Sequence, residues 1–429
     1  MTGRLRHPLT AVLFSVLLTA PWMGLWATGH AHGLSNLATI AITGISVLGA
    51  SFLLAWAAET AEEDVPRAFA LAILAVLAVA PEYAVDALYA WNAGAFAGTP
   101  RGAENASLAV ANMTGANRIL IGLGWSAIAV FAIYKAKTTN DPAVENRSGF
   151  LADRVKLDPD ISTEILFLFV ATVYAFLVPL GGGIGWPDML FLVGLYFTYI
   201  LFTLNAPDSE EEQVGIPAYF QSFTKNIRVP IYVGMFLFAG LVIFTAVEPF
   251  AHGLEEYGKQ IGVPPFLMIQ WVAPLASESP ELIVVAYLVN KARSTAAFNA
   301  LISSKLNQWT LLIGTLVLVY SISLGNFHTL PLGDKQNGEI WLTAAQSFFA
   351  LTILVNFNIS IREAVALLGL FLVQLFPSFH HYEALIGFSV VYIVLGLLLL
   401  AYRREEFQLL VGRVYRRIKG GERSPAEQV

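Results

Sequence analysis

Two Pro-Glu pairs lie within long apolar stretches, one in each half of the chain: Pro81-Glu82 and Pro280-Glu281. A proline inside a helix removes one backbone donor and leaves the carbonyl oxygen four residues earlier without its helical partner. A carboxylate in mid-membrane costs at least about 2.5 to 3.5 kcal/mol, so each glutamate needs a cation, a proton or a basic partner. Carboxylate and carbonyl oxygens are the ligands that hard cations prefer. The pattern therefore predicts a cation site with Glu82 and Glu281 as its metal ligands.

A second acid accompanies each of these glutamates. Asp86 follows Glu82 by four residues, and Glu278 precedes Glu281 by three. On a helix, residues at these spacings lie on one face. Asp86 and Glu278 therefore either extend the ion site or join neighbouring helices through basic partners, and the residues leave both readings open.

A second block also occurs twice: the first copy reads ANMTGANRILIG and the second FNALISSKLNQW. The matched pairs are Asn112 with Asn299, Asn117 with Ser304, and Arg118 with Lys305. Two basic residues at matched positions within predicted membrane spans are a shared feature of both copies. The block therefore adds amide, hydroxyl and basic side chains to each Pro-Glu element.

Arg118 and Lys305 allow two roles. Each can pair with an acid on a neighbouring helix, with Asp86 for Arg118 and Glu278 for Lys305, and losing one member of such a buried pair typically costs about 3 to 5 kcal/mol. Alternatively, either cation can face the ion site and compete with the transported ion. We favour the structural pairing and keep the counter-ion role as its alternative.

The elements that carry these residues must be membrane helices. The chain of 429 residues is 56% hydrophobic and 13% charged, with a mean hydropathy of +0.63, which a water-exposed surface does not sustain. Its apolar runs, each long enough to span a bilayer or nearly so, are 9–28, 37–58, 67–97, 106–134, 161–181, 186–205, 229–250, 264–290, 296–322, 338–356, 361–377 and 382–402. These predict an all-α polytopic membrane protein of about 12 transmembrane helices.

The two copies imply an inverted repeat. Residues 37–205 and 229–377 each contain five predicted spans, and an odd number inserts the second copy upside down relative to the first. One extra helix lies at each end, in residues 1–36 and 378–429, and a cytoplasmic linker, 206–228, joins the repeats. Such symmetry exposes equivalent polar elements to either side of the membrane in turn.

The distribution of positive charge sets the orientation. Of the 25 Lys and Arg, three fall on the predicted outer side (Arg101, Lys259 and Lys335) and two, Arg118 and Lys305, fall within spans, so the remaining 20 are cytoplasmic. We expect an integral protein of the cell (inner) membrane with both termini in the cytoplasm. The basic tail predicts either an amphipathic helix on anionic lipid headgroups or a solvated tail. Basic residues are not interleaved with aromatics, so we expect no nucleic-acid partner.

These residues resemble the sodium/calcium exchangers of the cation/Ca²⁺ antiporter superfamily, whose repeats carry a Pro-Glu pair followed by a GNxxGSN-type segment. The likeness covers most of residues 37–377. It implies that Glu82, Glu281 and nearby amides and hydroxyls bind the transported ion: Asn112, Asn117, Asn299, Ser304 and Asn307. Arg118 and Lys305 depart from that pattern, since the family ordinarily has apolar residues there.

The resemblance and the paired acids together predict a secondary-active antiporter that moves Ca²⁺ or Na⁺ in exchange for H⁺ or Na⁺ by alternating access. Its partners would be small inorganic cations and membrane lipid, with no cofactor besides the transported cation. No phosphate-binding loop, nucleophile elbow or HExxH helix is present, so we expect no enzymatic activity. The alternatives are an ion channel or a non-transporting membrane scaffold. Oligomeric state cannot be inferred from these patterns.

Overall fold

The computed structural model describes residues 7–65, 79–205, 215–376, 379 and 381–418. The helices are α1 Pro8–Ala27, α2 Asn36–Ala61, α3 Ala80–Ala95, α4 Pro100–Ile119, α5 Ser126–Thr139, α6 Ser162–Ala175, α7 Trp186–Asn205, α8 Ile216–Gln221, α9 Lys225–Ile261, α10 Pro265–Trp271, α11 Ala273–Asn290, α12 Ser294–Asn307, α13 Ile313–Leu324, α14 Asp334–Leu354, α15 Ile361–Val373, α16 Tyr382–Tyr402 and α17 Arg404–Ile418. The strands are β1 Val144–Glu145, β2 Arg154–Lys156, β3 Gly183–Ile184, β4 Leu330–Pro331 and β5 Asn358–Ser360. π-helical turns, Leu120–Trp125 and Gln308–Leu312, join α4 to α5 and α12 to α13.

Capping residues set the ends of these helices, because a helix that is apolar on all sides carries little positional pattern of its own. The Thr99 hydroxyl accepts a hydrogen bond from the Gly102 amide and is followed by a proline, which is pre-organised for the first helical position of α4. Ser360 and Glu363 form a reciprocal capping box at the start of α15. Each cap therefore fixes where a polar connection becomes a buried or lipid-facing helix.

Nine helical segments among the described residues are long and apolar enough to cross a membrane. The predicted runs 338–356 and 361–377 are also helical, as α14 and α15, although these are more polar or shorter than such a segment requires. The predicted run 67–97 is described only from residue 79 and contains α3. The prediction of an all-α polytopic membrane protein is confirmed.

The chain divides into two compact units. Unit 1 comprises Met1–Tyr89 and Asp208–Pro280, and unit 2 comprises Ala90–Pro207 and Glu281–Val429. The units cut across the sequence repeats, because each takes one portion of both copies. Unit 1 takes the first helix of each repeat, α2 and α9, together with α10 and the first parts of α3 and α11. Unit 2 takes the rest of α3 and α11 and the helices that follow each of them.

Unit 1 is built on the long pairing of α2 with α9, against which α1 and α8 pack. A Cβ added at Gly44 would lie 3.0 Å from the Phe250 ring, so the glycine permits close approach of the two helices. Asp64 lies three residues beyond the end of α2 and accepts a hydrogen bond from Arg228 Nε at 2.7 Å. This hydrogen bond lowers the pKa of Asp64. The predicted linker 206–228 contains α8 and the start of α9, while residues 206–214 lie outside the described part.

Unit 2 shows the repeat directly, because its helix contacts occur in matched pairs. In this comparison α4 to α7 of the first repeat correspond to α12 to α15 of the second. α14 packs on α4 as α6 packs on α12, and α15 packs on α5 as α7 packs on α13. α6 and α14, which correspond to each other, also pack together. Exchanging the copies therefore leaves the pattern of contacts unchanged.

The π-helical turns obey the same correspondence. The alignment that places Arg118 on Lys305 also superimposes residues 121–125 on the turn Gln308–Leu312. α15 packs on the first turn and α7 on the second. A Cβ at Gly122 would overlap the ring of Phe371, so only glycine allows α15 to approach the first turn this closely. π-helical turns inside α-helices often occur at functional sites.

Short strands tie the connections of the two repeats together in unit 2. β2 lies between β1 and β5, both antiparallel to it, in one sheet, and β3 pairs with β4 in another. β2 and β4 lie in corresponding connections, just before α6 and α14, and β3 and β5 lie just before α7 and α15. The pairing of β2 with β5 therefore corresponds to the pairing of β4 with β3. In the first sheet, Glu145 forms ion pairs with Arg154 at 2.6 Å, with Lys156, and with Arg147 at 3.4 Å.

The C-terminal end of the described chain packs on unit 2. α16 lies along α14, and α17 lies against α6, with its Leu410 and Val414 buried. Arg417 forms an ion pair with Asp160 at the other edge of this contact. The amphipathic helix predicted for the tail is therefore present, and its buried side contacts protein.

We expect acid to weaken the first sheet through Glu145. Hydrogen bonds from Lys156 and Arg154 lower the pKa of Glu145 from 4.5 to about 2. A carboxyl whose pKa is lower in the folded state stabilises the fold above its unfolded pKa and loses that contribution as pH falls from about 4.5 towards 2. The thermal unfolding midpoint of wild type should therefore fall more steeply over this window than that of Glu145→Gln. Parallel curves for the two proteins would contradict the assignment.

Candidate functional site

The two Pro-Glu elements have different helical settings. Pro81 lies in the first turn of α3, whereas Pro280 lies inside α11, which a break at Val272 separates from α10. In unit 1, Glu82 and Asp86 share α3 and are 1% and 0% exposed. The charge of these acids is therefore removed from solvent, as the sequence predicts for residues that need a cation, a proton or a basic partner.

Glu278, 2% exposed, lies in the part of α11 that belongs to unit 1, and Glu281 begins the part that belongs to unit 2. Within unit 2 the Ser304 hydroxyl donates to Glu281 Oε2 at 2.9 Å. The two residues belong to the Pro-Glu element and the polar block of the same repeat, on α11 and α12. The structure thus brings these predicted ion-site residues into direct contact.

Lys305 follows Ser304 and is fully buried. Its ammonium donates to Asn117 Oδ1, and it lies 4.2 Å from the centre of the Trp309 ring, within range of a cation–π interaction. Asn117 in turn donates its Nδ2 to the Met113 carbonyl oxygen at 2.7 Å. The polar blocks of the two repeats therefore meet through a lysine and an asparagine, at positions one residue apart in the repeat alignment.

The remaining predicted ligands are the amides Asn112, Asn299 and Asn307. Asn112 and Asn307 are 1% and 3% exposed. Asn299 Oδ1 is buried and accepts no hydrogen bond from any described residue. An unsatisfied amide oxygen inside a membrane protein is costly and is the type of group that a hard cation satisfies. In the described part of the chain, no three His, Cys, Asp or Glu are grouped as a dedicated metal site would need.

Arg118 has a partner that sequence reasoning did not name. Its Nη2 forms an ion pair with Glu339, and both side chains have no exposed surface. Its Nη1 donates to Gln374 Oε1 at 3.3 Å, and its backbone carbonyl accepts from Gln346 at 3.1 Å. Gln374 also donates to the Tyr392 hydroxyl at 2.7 Å. This buried network joins α4 to α14, the end of α15 and α16.

The signal for Glu339 was present in the sequence, because it falls inside the predicted span 338–356. A carboxylate within a span marks a functional or paired group, but its position near the start of the run suggests a helix end. The pairings expected for Arg118 with Asp86 and for Lys305 with Glu278 stay predictions. Within unit 2, the two matched basic residues have different neighbours: Arg118 contacts Glu339, and Lys305 contacts Asn117.

Comparison with known proteins identifies the family. The family described as sodium/calcium exchanger protein matches residues 35–205 and 231–380. The chain belongs to that family. It is an integral membrane protein and a cation antiporter of this type. The predictions of family and of antiport are confirmed, and those of a channel or a scaffold are set aside.

Solved structures agree with this fold. The crystal structure of the H⁺/Ca²⁺ exchanger CAX is 46% identical in sequence and has a TM-score of 0.86. The match covers 96% of this chain and 98% of the CAX chain. YfkE is 14% identical, covers 88% and 99%, and has a TM-score of 0.58. The sodium-calcium exchanger NCX_Mj is also 14% identical, covers 79% and 97%, and has a TM-score of 0.50. The last two show the fold alone. The comparison with curated proteins gives no match.

We expect the Arg118–Glu339 pair to be important for stability. Arg118→Met leaves the carboxylate of Glu339 buried without this partner, which should cost about 3 to 5 kcal/mol in the free energy of unfolding, and Glu339→Gln in the same chain should recover most of that loss. Arg417→Met is the matched control, because the exposed pair with Asp160 should contribute no more than about 1 kcal/mol. Thermal unfolding in detergent measures all three. Equal stability of Arg118→Met and the control would contradict this role.

Proposed function

We propose that this antiporter exchanges Ca²⁺ for H⁺, with Glu82 and Glu281 binding the transported ions. The observation that carries the proposal is the likeness, at 46% identity over 96% of the chain, to a protein described as an H⁺/Ca²⁺ exchanger. The geometry at Glu281 is compatible with it, because the hydroxyl of Ser304 is a neutral partner of the carboxylate. A carboxylate in that setting can bind either a calcium ion or a proton.

Coupling follows from competition at the same oxygens. Ca²⁺ takes six to eight oxygen ligands from carboxylates, carbonyls and amides, and a protonated carboxyl is a poor ligand for it. A bare carboxylate is costly inside the membrane, so the glutamates cross between the two access states either with the metal or with protons. Movement of one ion then requires return of the other, which is antiport.

The other predicted polar ligands complete the proposed site. We assign coordination to the amide and hydroxyl oxygens of Asn112, Asn117, Asn299, Ser304 and Asn307. Ser304 supports this assignment by its contact with Glu281, and Asn299 supports it because its buried Oδ1 accepts no hydrogen bond from the described residues. Asp86 and Glu278 are proposed as partners of basic residues rather than as ligands.

The proposal extends to placement in the cell. The excess of Lys and Arg on one side supports an orientation with both termini in the cytoplasm, and we place the protein in the cell (inner) membrane. Transport across that membrane needs no cofactor besides the ions and no enzymatic step. Lipid surrounds the apolar helices. Phe244 on α9, with 85% of its side chain exposed, is an example of an apolar residue that faces outward.

Exchange of Ca²⁺ for Na⁺ is the second candidate, because the family description names sodium. Sodium is also a hard cation that oxygen ligands bind. The two candidates differ in the gradient that drives Ca²⁺ movement, so a transport assay separates them.

We expect an imposed pH gradient to drive Ca²⁺ uptake into proteoliposomes containing the purified protein, and an imposed Na⁺ gradient at constant pH to drive none. Glu82→Gln and Glu281→Gln should each abolish the uptake, since the amide keeps the volume of the side chain and loses both its charge and its proton. Glu256→Gln is the matched control, because Glu256 is an exposed acid paired with Lys259 on α9. Folding of every variant is checked by thermal unfolding.

Two outcomes would contradict the proposal. Full transport by either glutamate variant would remove the assigned site. Uptake that follows the Na⁺ gradient and ignores the pH gradient would replace the proton by sodium as the exchanging ion.

A further inference from the structure

We propose that Lys305 is a specificity-determining residue: its ammonium takes the place of one bound monovalent metal ion and so leaves the proton as the exchanging ion. This inference rests on the proposed function and goes beyond it, because it names a residue that excludes Na⁺. It is drawn from the side chains around Lys305 in unit 2.

The first observation is where the ammonium lies. Lys305 is fully buried, and its Nζ donates to the side-chain oxygen of Asn117, an amide of the polar block. The preceding residue, Ser304, donates to Glu281 at 2.9 Å. Adjacent residues of α12 therefore contact a carboxylate and an amide oxygen, which are the two ligand types of a hard-cation site.

The second observation is that Asn117 is held in one orientation. Its Nδ2 donates to the Met113 carbonyl oxygen at 2.7 Å, so its Oδ1 is the atom presented to Lys305. An amide oxygen has two lone pairs, and the ammonium takes one of them. A metal ion that binds the other lone pair therefore lies next to a fixed positive charge.

The third observation is that the Lys305 ammonium also contacts an aromatic ring. Its Nζ lies 4.2 Å from the ring centre of Trp309, one helical turn further along the chain. A ring face attracts a cation and is worth more in a desolvated setting. Trp309 is the second residue of the π-helical turn Gln308–Leu312.

The matched residue of the first repeat shows that a basic side chain in this position does not have to contact the polar block. Arg118 forms its ion pair with Glu339, an acid on α14, and hydrogen-bonds to Gln374. Lys305 contacts Asn117, which belongs to the polar block. We therefore assign a structural role to the arginine and a role in ion selection to the lysine.

The positive charge of Lys305 changes the number of monovalent cations that the ion site can accept. Two unit charges about 4 Å apart interact by about 4 kcal/mol at an effective dielectric constant of 20, so a sodium ion close to the ammonium is disfavoured. A site lacking the lysine would carry one more unit of negative charge and would accept one more monovalent cation. With Lys305 present, that charge is already balanced by the protein itself.

The test measures Ca²⁺ binding by the full-length purified protein in NaCl and in choline chloride at equal ionic strength. We expect the Ca²⁺ affinity of wild type to be the same in both salts. Lys305→Met keeps the unbranched side chain and removes the charge, so Na⁺ should lower its Ca²⁺ affinity on the order of tenfold. Lys305→Arg retains a fixed cation and should stay insensitive to Na⁺. Lys259→Met, on an exposed surface, is the control and should match wild type.

The outcomes distinguish failure of the role proposed for Lys305 from misfolding of a variant and from failure of the proposed Ca²⁺/H⁺ exchange. If Lys305→Met does not fold, Lys305→Gln replaces it, because glutamine can still donate to Asn117. Insensitivity to Na⁺ in a folded neutral variant would overturn the inference, and so would sensitivity in wild type. If a pH gradient drives Ca²⁺ uptake by wild type, failure of this inference leaves the proposed function intact. Absence of such uptake would overturn the proposed function instead.

Discussion

Charged side chains buried in a membrane protein must be balanced where they lie, and this constraint organises the second compact unit. Arg118 and Glu339 have no exposed surface and form an ion pair, and Lys305 has none and contacts the Asn117 amide. Desolvation of such groups costs several kcal/mol each, which only specific partners offset. α14, which supplies Glu339, is therefore held to α4 by charge as well as by packing, and α12 is held to α4 by the hydrogen bond from Lys305 to Asn117.

The inverted repeat explains why the balancing groups occur in matched positions, and the structure shows how they have diverged. Both copies place a basic residue shortly before a π-helical turn, and both turns contact the last helix of the opposite copy. In the first copy the basic residue reaches an acid outside the polar block. In the second copy it reaches an amide of the block itself. The same position of the repeat thus supports helix packing in one copy and, in our proposal, ion selection in the other.

The sequence predicted the membrane helices and the paired elements because both depend on local composition. Apolar length identifies a span, and a Pro-Glu pair at corresponding positions identifies a repeat without reference to packing. The partner of Arg118 could not be predicted in this way, because Glu339 lies 221 residues further along the chain and nothing local links the two. The contact of Lys305 with Asn117 was equally hidden, since a side chain with four flexible carbons reaches in many directions. Strands of two or three residues, such as β3 with β4, carry too little pattern to be recognised.

The proposed exchange requires that the same carboxylates alternate between Ca²⁺ and protons. Proton release on Ca²⁺ binding tests it most directly, with purified wild-type protein in weakly buffered detergent solution and a pH indicator. We expect each addition of Ca²⁺ to acidify the solution in proportion to the Ca²⁺ bound, and an equivalent addition of Na⁺ to leave the pH unchanged. Saturable Ca²⁺ binding that releases no protons at any pH at which the carboxyl groups are partly protonated would contradict it.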